Sequence, residues 1–144
     1  MSRSAGRAHS ADTHERRVQS WIDAGGAGKS FDALGQMAQL CQRNGVPLVV
    51  AILPGLIETT PSMPEMADYP HLEKHDLMDR RMTALGIDFV DLLPAFAGEN
   101  PRKLIAHPLD RHFSAHGNAL VARALKKYLE PKVALLRERV GKMK

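Results

Sequence analysis

From Ser30 onward the chain repeats one pattern: an amphipathic stretch, a glycine, an apolar run and a proline. In the first round Phe31, Leu34, Met37, Ala38 and Cys41 recur at the three- and four-residue spacing of one helix face. Gly45 offers the left-handed stop that ends such helices. Leu48-Val-Val-Ala-Ile-Leu53 then reads as a strand apolar on both faces, closed by Pro54. The second round sets Met78, Met82 and Leu85 on a helix, Gly86 at its end, and Ile87-Asp-Phe-Val-Asp-Leu-Leu93 as a strand before Pro94. Apolar strands alternating with amphipathic helices predict a parallel sheet covered on both faces. The strands are expected at 47–53 and 87–91, adjacent and parallel, and the helices near 30–44, 71–85 and 114–129.

Residues 1–13 are rich in Ser, Ala, Arg and His and lack hydrophobic periodicity, which predicts a disordered start. Residues 15–24 read as a short helix with Val18, Trp21 and Ile22 on one side, and Gly25-Gly-Ala-Gly28 as the hinge that closes it. The organisation expected is a flexible or helical segment at 1–29, the folded domain at 30–130 and a basic helical tail at 131–144. A parallel sheet of two strands exposes two unpaired edges and is not stable alone. Further strands are therefore expected from sequence preceding Met1 or from a partner.

An apolar share of 44% in 144 residues allows one small domain with a real core. Cys41 is the single cysteine, so neither an internal disulfide nor a cysteine-rich zinc site is available. No apolar run is long enough to span a bilayer. No signal-peptide core follows Met1, and the cytoplasm is the default location. The net charge of +4 is concentrated near the end, where residues 126–144 hold seven basic and two acidic side chains, a net +5. Without interleaved aromatic residues beyond Tyr128, this reads as a solvated amphipathic tail with Val133, Leu136 and Val140 inside, not as a nucleic-acid surface.

The chemistry-bearing residues gather in His107-Pro-Leu-Asp-Arg-His-Phe-Ser-Ala-His-Gly-Asn118. In extended backbone, Asp110 and His112 fall on one side, so the carboxylate can orient the imidazole while the other ring nitrogen faces a substrate. Ser114 is a natural N-cap for the helix that follows. His107, Asp110, His112 and His116 also allow a metal reading, but Ser114 and Gly117 put His112 and His116 on either side of a helix start. No metal and no cofactor is expected. His71 and His75 read as solvated residues of a polar helix face. Gly28-Lys29-Ser30 imitates a phosphate-binding loop, but Asp23 stands where its first glycine is needed. Met63, Met66 and Tyr69 suggest a pliable wall facing a ligand, or simple loop punctuation.

Across about residues 30–129 the chain resembles the C-terminal half of the SGNH/GDSL hydrolase family. The resemblance rests on Val46-Pro-Leu-Val-Val-Ala-Ile-Leu-Pro54, Tyr69-Pro70, Gly86-Ile-Asp-Phe-Val-Asp-Leu-Leu-Pro94, Asp110-Arg-His112 and Ser114-Ala-His-Gly117. It implies a three-layer α/β/α flavodoxin-like fold, here partial, with about two parallel strands and four or five helices. It implies ester hydrolysis through a serine acyl-enzyme, with Asp110 orienting and His112 acting as general base, on a small-molecule ester. Phe113 restricts the pair to the Asp-x-His spacing, and no Gly-Asp-Ser nucleophile block or Gly-x-Asn-Asp oxyanion segment is present in the chain. The chain alone is accordingly expected to be inactive and to need a missing N-terminal half. The alternative from another class is a non-catalytic binding or assembly module that uses the exposed sheet edge and the basic tail.

Overall fold

The computed structural model of the chain describes Ser20, residues 27–57 and residues 60–142. The expectations for residues 1–13 and 15–24 lie outside the described residues, apart from Ser20, which is helical. Helix α1 spans Ala27–Arg43, strand β1 Val49–Ile52, helix α2 Leu72–Ala84 and strand β2 Asp88–Asp91. The two strands pair as a small parallel sheet, which makes the chain a mixed helix-and-strand structure of α/β kind. A short helix α3, Pro101–Leu104, leads into β3, Ile105–His107, and β4, Asp110–Phe113, and helix α4 closes the chain at Ala115–Lys142. Single 3-10 turns lie at Met66–Asp68 and Leu93–Ala95.

Both repeated rounds end their helices as the pattern predicts. Gly45 and Gly86 adopt φ of 65° and 64°, a region open to glycine at little cost. At the first stop Val46 N–H donates to Cys41 O at 2.9 Å and Gly45 N–H to Gln42 O at 3.1 Å. At the second, Ile87 N–H donates to Met82 O at 2.9 Å and Gly86 N–H to Thr83 O at 3.1 Å. These crossed bonds satisfy carbonyls that the helix end would otherwise leave open. Of the hinge expected at 25–28, Ala27 and Gly28 belong to the first turn of α1, and Gly25 and Gly26 lie outside the described residues.

The strands are shorter and less covered than expected. Val49, Val50 and Ala51 are half-buried, only Ile52 is buried, and Leu53 is exposed. Among the described residues the sheet has two strands, too few to bring cover to both faces. β2 stops at Asp91, whose carboxylate accepts the Leu93 N–H at 2.9 Å and turns the chain into the segment holding Pro94.

By contacts the chain divides into two compact units, Met1–Val50 with His71–Phe89, and Ala51–Pro70 with Val90–Lys144. In the first unit Ala27, Leu77, Met82 and Ile87 are the buried apolar residues among those described. His75 is buried with them, at 7% exposure, which corrects its reading as a solvated residue. It shares a helix face with Met78 and Met82, three and seven residues along. A cleft of about 610 Å³ in this unit is lined by residues that include Cys41, Val46, Pro47, Leu85 and Gly86.

The second unit has the firmer core. Met63, Tyr69, Leu92, Leu93, Phe96, Leu104 and Leu120 form one buried cluster. Met63 and Tyr69 are therefore core residues and not a wall facing a ligand, and the Tyr69 hydroxyl donates to Gly55 O at 3.0 Å. The segment 54–70 is anchored further by Met63 N–H to Glu99 O at 2.7 Å and Gly98 N–H to Met63 O at 2.9 Å.

Candidate acid–base site

Asp110 and His112 stand on β4, the second strand of an antiparallel hairpin, where a long loop over 94–113 is expected from the sequence. Ile105 pairs with Phe113 and His107 with Asp110, with an irregularity between them. Pro108 and Leu109 make the tip, and Leu109 is almost fully exposed. Its N–H donates to His107 Nδ1 at 3.1 Å, so the proton of that neutral ring is assigned to Nε2.

The base of the hairpin is fixed from both ends. Phe113 lies against Phe96, ring centroids 5.2 Å apart. Ser114 N–H donates to Leu104 O at 2.7 Å, and its hydroxyl donates to Lys103 O at 2.6 Å while accepting the Gly117 N–H at 3.2 Å. Ser114 is thus the N-cap of α4, with both roles of its oxygen engaged. Gly117 lets α4 approach, since a Cβ there would meet Leu104 O at 2.9 Å and the Phe113 side chain at 3.2 Å.

On this frame the structure brings Asp110 and His112 together. One Asp110 oxygen accepts the backbone N–H of His112 at 3.0 Å and is also hydrogen-bonded to Nδ1 of the His112 ring. The backbone N–H and then the ring contact hold the Asp110 carboxyl below the ordinary aspartate range. With the Nδ1 proton directed at a carboxylate, the neutral ring keeps its lone pair on Nε2. The His112 side chain is 90% exposed, so that nitrogen is open to a reacting group.

A second acid–base pair in the same unit has no signal in the sequence. His116, on the first turn of α4, places Nε2 at 2.9 Å from a Glu99 carboxylate oxygen. The partners are separated by 17 positions and share no helical or strand period, so only the folded chain reveals them. The three imidazoles of the segment thus have separate partners: the Leu109 N–H for His107, Asp110 for His112 and Glu99 for His116. Among the described residues no group of three or more His, Cys, Asp or Glu side chains could hold a metal ion. Nor is any helix among them long and apolar enough to cross a membrane. Comparison of the chain with models of protein families, with curated proteins and with solved structures found no match.

Proposed function

We propose that this chain carries the acid–base half of a serine ester hydrolase of the SGNH/GDSL kind, with Asp110 and His112 as its working pair. The observation that carries the reading is the single Asp110 oxygen that binds both the backbone and the ring of His112 while Nε2 stays open. In the reaction, a serine hydroxyl loses its proton to His112 Nε2 as its oxygen attacks the ester carbonyl. Asp110 stabilises the imidazolium that forms. The proton then passes to the departing alkoxide, and water repeats the cycle on the acyl-enzyme. Ser114 does not fit the role of nucleophile, because its hydroxyl is the cap of α4. The serine and the oxyanion donors come, in this proposal, from a segment outside these 144 residues. The three-layer flavodoxin-like architecture belongs to the same proposal, with β1 and β2 as two of its parallel strands.

The test supplies a Gly-Asp-Ser segment from a member of that family, fused or in trans, and measures p-nitrophenyl acetate hydrolysis. The present chain alone should stay at background. The complemented protein should be active, and His112→Ala should cost it roughly a thousandfold or more in kcat. Full activity in that variant would move the base to His116, whose ring is paired with the Glu99 carboxylate.

A further inference from the structure

Helix α4 has 28 residues, about 42 Å at 1.5 Å per residue. Its contributions to the hydrophobic cluster, Leu120, Val121, Ala124 and Leu125, all come from the first half. Beyond them Leu129 is half-buried, and Val133 and Leu136 are 40% and 39% exposed. The expected inner face of the tail is therefore uncovered at both of these positions. Leu129, Val133 and Leu136 follow at spacings of four and three, the narrow seam of a helix that packs against another helix. In that register Lys132 borders the seam on one side, with its ammonium 4.5 Å over the Tyr128 ring. Arg137 and Glu130 border it on the other. Leu135 is exposed too but falls outside the seam.

We propose that the second half of α4 docks an acidic amphipathic α-helix of a partner protein. Apolar residues of the partner would lie on Leu129, Val133 and Leu136, with carboxylates facing Lys132 and Arg137. Charge complementarity selects this occupant over a second copy of the chain. Residues 126–144 carry seven basic and two acidic side chains, a net +5, so two copies side by side repel. A parallel pair would also set Lys132 against Arg137 of the other copy, the like-charge arrangement that disfavours pairing. The seam also argues against a lipid surface, because interfacial helices present a broad face of Trp, Phe and Leu. Here the seam is one residue wide and holds no aromatic side chain. This surface is independent of the hydrolase reading.

The experiment uses the full chain and two synthetic helices with leucine along the seam, one bordered by glutamates and the other by lysines. Fluorescence anisotropy at low salt should show binding of the glutamate probe and none of the lysine probe. Raising the salt to about 0.5 M should weaken the complex, since exposed ion pairs are then screened within a few ångströms. Val133→Asp with Leu136→Asp should reduce the affinity by about tenfold or more, the factor that ~1.4 kcal/mol of lost apolar contact represents. Lys132→Glu with Arg137→Glu should exchange the preference, so that the lysine probe binds. That pair substitutes one good helix former for another, and it decides the matter even if the aspartate variant misfolds. Equal binding of both probes overturns the proposal. So does sedimentation showing a dimer of the chain that the aspartate pair dissolves. Binding to phosphatidylserine vesicles through Val133 and Leu136, without binding of the glutamate probe, overturns it in favour of lipid.

Discussion

The two compact units use their apolar residues in different ways. In the unit built from 51–70 and 90–144, seven buried residues form one cluster, and Leu93, Phe96 and Leu104 have no exposed surface. In the other unit, α1 carries an equally regular apolar face, yet Phe31, Leu34, Ala38 and Cys41 are only half-buried and Met37 and Leu40 are exposed. An amphipathic pattern specifies which side of a helix faces inward, whereas burial needs a partner surface to meet it. The Asp110–His112 and Glu99–His116 pairs stand on the unit with the closed core, where rigid neighbours can hold them.

The sharpest way to break this comparison is to empty the core of the second unit. Phe96→Ala should destabilise by about 3–5 kcal/mol, the usual range for a fully buried aromatic ring. Leu85→Ala in the first unit, where the side chain is 37% exposed, should cost less than about 1.5 kcal/mol, since little burial is lost. Urea unfolding of both variants measures the contrast. Equal losses would mean that the first unit is as tightly packed as the second.

Two glycines sharpen it further. Gly117→Ala forces a Cβ to 2.9 Å from the Leu104 carbonyl, backbone that cannot swing aside, and should cost about 1–3 kcal/mol. Gly35→Ala in α1 meets only the tip of Leu85 at 3.3 Å. That side chain can give way, and the gain of about 0.5–1 kcal/mol from replacing glycine within a helix should prevail. Thermal melts should therefore move in opposite directions. Ser114→Ala removes the cap of α4 and should cost about 1 kcal/mol, read by the same melts.

The smallest effect is electrostatic. Because the folded-state pKa of Asp110 is depressed, its contribution to stability is present above the unfolded-state value and fades as pH falls through the folded one. A carboxyl-carbon NMR titration should place the Asp110 midpoint below that of an ordinary aspartate. His112→Ala should raise it only in part, because the backbone N–H of residue 112 remains a donor.

The αβ rounds were legible because their cues are local: spacing of three and four, a glycine stop, an apolar run and a proline. Helices expected at 30–44 and 71–85 appear at 27–43 and 72–84, and the two parallel strands fall inside the expected ranges. The β3–β4 hairpin was not legible. Its strands have three and four residues, do not alternate polar with apolar, and turn at Pro108-Leu109 without the glycine or asparagine that marks such tips. The helix expected near 114–129 and the helical tail expected at 131–144 are one element, since α4 runs through Pro131 to Lys142. The Asp110–His112 pairing was readable because period two puts both residues on one side of extended backbone. Glu99–His116 depends on tertiary structure alone.

The dual bond to Asp110 has a kinetic consequence. Acid, base and the N–H that fixes the acid all lie within three consecutive residues, so the chain closes the contact at almost no loop entropy. Their effective concentration is set by the peptide backbone and not by the rest of the fold. Forming such a pair requires no chain closure longer than that of a hairpin, an event of about microseconds. A turn of this kind can be grafted onto another hairpin as a single short cassette and bring its oriented imidazole with it.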